Sequence, residues 1–406
     1  MNWHEALAQR VELLGRSEVM AIMKLAERSD IISFAGGLPH ADTFLIDEFR
    51  ATTLEVLDGA GRDALGYSPT HGITPLRAHL AEQMTALGRP TEITETLVTT
   101  GGVAAMDLLA KAFIDPGDIV VVGEPSYLAA LHVFRGYQAR FVGVPLDQDG
   151  LRTEILEDRL RDLHNRSLRP KFIYTVPSFQ NPTGTTLSEE RRRHLVFLAR
   201  KYEVPVIEDA TYRDLRFEGQ APPLLVTLDP GVVIYLNTFS KIFCPGIRLG
   251  WLVGPSEVLD ALALCKQGQD QCSSSLGQHL ALTSLANGAI RRQVAASVTF
   301  YRNRRDTMLQ ALERFMPDGT AWSRPDGGFY IWVTLGEDMD TERLLPEATR
   351  AGKVAYVPGP AFYHDGSGRR HLRLSYSFVD NDQIAQGIER LGRIVDRRHN
   401  SLVASG

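Results

Sequence analysis

Long apolar runs are missing from this 406-residue chain: no stretch of ~18 apolar residues occurs, so no membrane-crossing helix is expected. The N-terminus, MNWHEALAQRVELLGRSEVM, is charged throughout and lacks the continuous apolar segment of a signal peptide or membrane anchor. Cysteine is scarce as well. Cys244, Cys265 and Cys272 are too few and too clustered for a disulfide framework, which points to a reducing, cytoplasmic setting. There is no basic excess, since 44 Lys and Arg face 49 Asp and Glu for a net charge of -5. Nucleic acid is therefore offered no electrostatic footprint, and a small anionic metabolite must be caught by local charges. Repeats and low-complexity tracts are absent. So are GxxxxGK[ST], HExxH and GxSxG, which leaves nucleotide, zinc-protease and serine-hydrolase readings without support. His71, His132, His364 and His371 show no ligand-like spacing, and no metal is expected.

What is present is an ordinary globular composition, 44% hydrophobic and 23% charged, in a chain long enough for two domains. Apolar runs bounded by turn residues occur at 97–100, 119–123, 172–176, 204–207, 232–236 and 251–254, with helical patterns between several of them. Such alternation predicts an α/β fold with a mostly parallel sheet covered on both faces. Between two of the runs, SEERRRHLVFLARKY (188–202) reads as a crossover helix: Ser188 caps, Glu189 and Glu190 suit the positive N-terminal end, and Leu195, Phe197 and Leu198 supply the buried stripe. The C-terminal part differs. A helical pattern from about 293 to 315 leads into GGFYIWVTL, VAYVPGPAF and HLRLSYSF, strands of a smaller α+β unit. The expected division is 1–46 as an N-terminal segment packing with the small domain, 47–292 as the large domain and 293–406 as the small domain. GGLP at 36–39 is a turn.

Ligands of open α/β sheets bind beyond the carboxyl ends of the strands, so the residues just after each strand are the ones to read. After the first run, Gly101 and Gly102 open a helix whose free N–H groups could cradle a phosphate, although glycines at such turns also serve backbone geometry alone. Tyr127, in EPSY, could stack on a flat ring or fill a core gap. Asn181 precedes Pro182 in PSFQNPTG, an amide held in a stiff extended dipeptide. Glu208 and Asp209 directly follow an apolar strand, where at least one carboxylate needs a partner, and a cationic ring nitrogen would be one. Tyr212 lies one turn on. Lys241 follows the next strand in NTFSK, with Ser240 before it and Arg248 after it. A lone lysine in an apolar stretch is commonly a snorkelling surface residue. Here it would meet a carboxylate, an amide, phenols and an arginine at one sheet edge, where burial and Arg248 lower its pKa toward the neutral amine that carbonyl addition needs. The set asks for an aromatic aldehyde bearing a phosphate and a basic ring nitrogen, which describes pyridoxal phosphate.

SFAGGLP, GYSPTHG, TTGG, EPSY, PSFQNPTG, EDATY, FSKIFCPGIRLGW, PDGGFYIW, YVPGPAF and HLRLSYS occur in this order along essentially the whole chain. In this the sequence resembles the fold-type I pyridoxal-phosphate enzymes, specifically class I/II aminotransferases of the 2-aminoadipate and kynurenine aminotransferase branch. The resemblance implies a mostly parallel seven-stranded sheet in the large domain. It implies that Lys241 carries the cofactor as a Schiff base and shuttles a proton, that Asp209 holds the pyridine nitrogen protonated, that Asn181 and Tyr212 bond the phenolic oxygen, and that Tyr127 stacks on the ring. Ser240, Arg248 and the amides of Gly102 and Val103 would hold the phosphate; Arg373 would bind the substrate α-carboxylate as a bidentate fork; and Gly37 would leave room for substrate. Tyr67 would reach the phosphate in a neighbouring subunit, so a homodimer with shared sites is implied.

Two departures matter. Relatives commonly read TTGSQQ where this chain has TTGGVAA, so Gly102 lacks a hydroxyl that often contacts the phosphate, and weaker cofactor affinity is expected. In the aminoadipate branch an arginine on the N-terminal helix reads an acidic side chain; alignment of SEVMAIMKL puts Met20 there, which favours apolar or aromatic donors. The expected activity is transfer of an amino group from an L-amino acid to a 2-oxo acid such as 2-oxoglutarate by ping-pong half-reactions. Alternatives are the same cofactor and fold with β-lyase, γ-eliminating synthase or oxidase/hydroxylase chemistry, and an aminotransferase-like effector-sensing transcription regulator. The acidic charge, and the ~30 residues before SFAGGLP, argue against the regulator. Cys244, three residues after Lys241, reads as a small packing residue.

Overall fold

The computed structural model describes residues 1–14 and 30–403. Met20 lies outside the described residues. Among the described residues the strands are β1 (Ile32–Ser33), β2 (Thr96–Thr99), β3 (Ile119–Glu124), β4 (Arg140–Asp147), β5 (Gly150–Leu151), β6 (Phe172–Thr175), β7 (Val206–Asp209), β8 (Val233–Thr238), β9 (Gly250–Val253), β10 (Ala321–Trp322), β11 (Tyr330–Thr334), β12 (Val354–Ala355), β13 (Val357–Pro358) and β14 (His371–Ser375).

Strands β2 to β9 form one sheet in the order β2-β9-β8-β7-β6-β3-β4-β5. β4, β3, β6, β7 and β8 run parallel, and β9 is antiparallel to both its neighbours. The seven expected strands are joined by the two-residue β5, antiparallel at the β4 edge. Strand period sorts the side chains. Val120, Val122, Phe172, Tyr174, Ile207, Ile234 and Leu236 enter one core cluster, while Val121, Ile173, Val206, Val233 and Tyr235 enter the other. Helices cover both faces, Gly102–Phe113 and Ser256–Gln267 on the first, Thr74–Ala86, Thr153–Asn165 and Glu189–Tyr202 on the second. Each fully buried Val, Ile or Leu contributes roughly 1.5–3 kcal/mol, which is why near-continuous apolar strands are stable only between two such layers.

The helix Glu189–Tyr202 forms as expected, with the Ser188 hydroxyl accepting from the Arg191 N–H at 3.4 Å. Its buried face differs. Phe197 is 58% exposed, stacked on His194 and under Lys201, and the face toward the sheet is Arg192, Leu195, Val196, Leu198 and Ala199. At 3.6 residues per turn 192, 195, 196 and 199 share one face, and 197 falls outside it.

The C-terminal unit carries the antiparallel sheet β10-β11-β14-β13, backed by the helices Ala289–Phe315 and Asn381–Val403, which pack on each other. The N-terminal segment divides between the two units. β1 pairs in parallel with β12, and the Ser375 N–H donates to the Phe34 carbonyl. The helix Gln9–Leu14, expected beside the small unit, lies instead against Leu128–Gly136 of the large one. The first core cluster runs on through Tyr301, Phe329 and Ile331 into the C-terminal unit, so the two units share apolar packing.

Candidate active site

At the end of β2, Gly101 has φ +91°, and a Cβ there would lie 2.8 Å from Arg248 Nη2. Only glycine meets both the torsion and the approach. The helix Gly102–Phe113 starts directly after it, so its first N–H groups have no intrahelical partner. Thr100, on the other side of Gly101, donates to Asp270, which is paired at 2.5 Å with the fully buried Lys266. This pair anchors the turn that presents the amides.

From the end of β8, the Thr238 hydroxyl donates to Ser240 Oγ at 3.0 Å, and Arg248 Nη1 donates to the same oxygen at 3.4 Å. Lys241 Nζ donates to the Gly37 carbonyl at 2.8 Å. Burial, then the charges of Arg373 and Arg248, pull the Lys241 ammonium down to about 8, against a smaller opposing pull from Asp209.

Period 2 on β7 decides between the adjacent carboxylates. Asp209 shares a face with Ile207 and accepts from Tyr174 OH at 2.7 Å, Thr211 Oγ1 at 2.6 Å and the Thr211 N–H at 3.1 Å. Burial nevertheless pushes its carboxyl up, so this site favours a cation beside Asp209. Glu208 points to the opposite face, accepts the N–H groups of Leu225 and Val226 at 3.0 and 2.9 Å, and lies 3.8 Å from Arg192.

From the C-terminal unit, β14 supplies Arg373. Its Nη1 donates to Asn181 Oδ1 at 2.9 Å and its Nη2 to the Ala35 carbonyl at 2.6 Å, while Nε is buried with no partner among the described residues. The guanidinium lies 4.4 Å from the centre of the Tyr330 ring and 5.0 Å from that of Phe362. The Asn181–Pro182 peptide is cis. Tyr212 and Tyr330 share a hydrogen bond between hydroxyls at 3.0 Å.

Gly102, Val103, Tyr127, Asn181, Asp209, Tyr212, Ser240, Lys241 and Arg248 line one cavity of about 150 Å³. Arg373 and Gly37 join it through their bonds to Asn181 and Lys241. Tyr67 is not in this cluster and is 87% exposed. At Gly37 the place of a Cβ is filled, since one there would lie 1.9 Å from the Tyr330 hydroxyl. A larger cavity, about 640 Å³, opens on the other face of the sheet beside Tyr235 and Trp251 and contains none of these residues. Convergent polar groups, not volume, mark the site.

Tyr174, Thr211, Thr238 and Tyr330 belong to the site but were not among the expected residues. Tyr174 could have been found by strand alternation, since it shares the face of Ile207 and Asp209; Tyr330 carried no signal beyond its place in GGFYIW. The residues fit a pyridoxal phosphate by their chemistry: a glycine cradle at a helix N-terminus, an arginine and a serine hydroxyl toward one end, a lysine of lowered pKa, and a buried carboxylate, Asp209, in no ion pair among the described residues.

Residues 29–391 match the family described as aminotransferase class I and II. Aromatic-amino-acid aminotransferase 1 of Thermococcus litoralis is 39% identical over 97% of this chain and 95% of its own. The 2-aminoadipate transaminase of Thermus thermophilus is 37% identical over 97% of each chain. Among solved structures, the kynurenine aminotransferase of Pyrococcus horikoshii, in complex with PMP, KYN and KYA, has a TM-score of 0.94 and 39% identity, covering 98% of each chain.

Proposed function

The chain belongs to the class I and II aminotransferases, pyridoxal 5'-phosphate enzymes of fold type I, and on that premise we propose which amino acid it uses and which residues do the work. The donor is an L-amino acid with an apolar or aromatic side chain, the acceptor a 2-oxo acid such as 2-oxoglutarate, and the two half-reactions alternate at one site. The observation that carries the reading is Lys241, bonded to the Gly37 carbonyl in the cavity it shares with Asp209 and Arg248, its ammonium pulled down to about 8 by burial and then by Arg373 and Arg248.

Bound pyridoxal phosphate supplies an aldehyde that exchanges amines and a cationic ring that accepts electrons from the substrate Cα. Lys241 would bond to the cofactor as its neutral amine and, once displaced by substrate, serve as the base that moves the proton from Cα. Asp209, held by Tyr174 and Thr211, would keep the ring nitrogen protonated. Ser240, Arg248 and the amides of Gly102 and Val103 would hold the phosphate, Tyr127 would stack on the ring, and Asn181 and Tyr212 would bond its phenolic oxygen. Arg373 would take the α-carboxylate, with the unpartnered Nε–H as one tine of its fork.

Donor preference rests on Met20, which cannot pair with an acidic side chain, and on likeness to the Thermococcus enzyme named for aromatic amino acids. The test is a donor screen that follows conversion of the bound cofactor to its amine form by absorbance. Leucine, valine, phenylalanine or kynurenine should lead; 2-aminoadipate far ahead of them would overturn the preference. Ammonia release, or O₂ consumption without an oxo-acid acceptor, would overturn transamination itself.

A further inference from the structure

We propose that Tyr330 is a positioning residue whose hydroxyl donates to Tyr212 and so sets how strongly Tyr212 donates to the phenolic oxygen of the bound cofactor. This rests on the reading that Tyr212 reaches that oxygen.

Tyr330 begins β11 and is buried where the two units meet. Its ring lies under the Arg373 guanidinium, a contact phenylalanine would make equally well. The hydroxyl is the part that needs a reason. It lies 3.0 Å from the Tyr212 hydroxyl and occupies the space of a Gly37 side chain. Among the described residues Tyr212 is its only hydrogen-bond partner. Gly37 in turn gives its carbonyl to Lys241. One phenol therefore touches the residue assigned to the phenolic oxygen, the residue assigned to the carboxylate, and the segment that steadies the lysine.

Each phenol has one proton to give. If Tyr212 gave its proton to Tyr330, none would remain for the cofactor. If Tyr330 gives, Tyr212 is free to donate, and accepting a bond strengthens the bond it donates. A negatively charged oxygen beside Tyr212 selects the second order. Burial holds the Tyr212 phenol well above its ordinary pKa, so Tyr212 keeps its proton through the working range. The structure thus assigns a directed chain from Tyr330 through Tyr212 to the cofactor, built by a glycine at 37 that leaves the hydroxyl its place.

Donors on the phenolic oxygen draw off charge that otherwise holds the proton of the neighbouring Schiff-base nitrogen. Losing a donor therefore raises the pH at which the visible absorbance titrates. The experiment is that titration on the cofactor-loaded protein, for the wild type, Tyr330→Phe, Tyr212→Phe and the double variant. Tyr212→Phe should raise the midpoint. Tyr330→Phe should raise it less, by about two- to fivefold in proton affinity, the share of one hydrogen bond. In the Tyr212→Phe background Tyr330→Phe should add nothing. Gly37→Ala, whose methyl would displace the hydroxyl, should shift the midpoint the same way, and it carries the test if Tyr330→Phe folds poorly. An unchanged midpoint in both Tyr330→Phe and Gly37→Ala overturns the relay, and so does a Tyr330→Phe shift that persists without the Tyr212 hydroxyl. If Tyr212→Phe itself leaves the midpoint in place, the assignment of Tyr212 to the phenolic oxygen falls, a failure distinct from loss of the relay alone.

Discussion

Lys241 is built to lose its proton. With a pKa of about 8, about a tenth of the amine is neutral at pH 7, against about one part in 3,000 at the ordinary lysine value. The first cause is burial, followed by two arginines, so the effect belongs to the protein before any cofactor binds. Its linkage sign is that of a depressed base. Below pH 8 the folded chain carries the full cost of a buried ammonium; between 8 and 10.5 the unfolded chain binds more protons, and stability from this group rises with pH. Stopped-flow uptake of pyridoxal phosphate by cofactor-free protein should therefore accelerate about tenfold per unit of pH up to about 8 and then level off. A rate still climbing tenfold per unit toward 10 would show an ordinary lysine. Lys241→Ala should form no Schiff-base absorbance and lose about 10²–10⁴-fold in turnover. That much was legible in the sequence because a strand end fixes where a polar side chain goes. Tyr330 was not legible: its role depends on the hydroxyl of Tyr212, 118 residues away, and on an absent side chain at Gly37.

At the scale of one strand, β7 turns a two-residue question into two separate experiments. Glu208 and Asp209 are adjacent and both buried, yet alternation sends them to opposite faces. Glu208 is satisfied by two backbone N–H groups and Arg192, and burial pushes its carboxyl up. Removing one partner of such a pair leaves a buried charge, so Glu208→Ala should lower unfolding free energy by about 3–5 kcal/mol while leaving the visible spectrum of the bound cofactor in place. Asp209→Asn should do the reverse, with melting close to wild type and turnover down about 10²–10³-fold. Denaturation and steady-state rates on both variants check the pair; matching phenotypes would mean that the face assignment is wrong. Period was equally the guide to the central strands, and where it failed there were physical reasons. β4 runs near the sheet edge with only Val144 of its eight residues buried, and Gly143 and Pro145 interrupt the apolar pattern of RFVGVPLD. Phe197 is apolar but sits off the helix face, supported by His194 and Lys201 instead of the core.

For the whole molecule, the site is a junction: Arg373 arrives from the C-terminal sheet, Asn181 and Asp209 from the large one, and Ala35 and Gly37 from the N-terminal segment. Among the described residues, Tyr67 is the expected site residue that joins none of these. It stands exposed just beyond the helix Ile46–Leu65, whose Ile46, Leu54 and Leu57 are also exposed and fall within about 80° of one another at 100° per residue. An apolar stripe ending in an exposed tyrosine fits a homodimer in which that tyrosine serves the neighbouring site. Sedimentation should then give a dimer. A complementation experiment asks the sharper question. Lys241→Ala and Tyr67→Ala homodimers should each be impaired, for different reasons. In a mixed dimer formed by co-expression, the Lys241→Ala subunit lends its intact Tyr67 to the partner's intact Lys241, so one of the two sites has neither defect. Activity should return to about half of wild type per mixed dimer. If Tyr67 acted within its own subunit, every site of the mixed dimer would keep one defect and no activity would return.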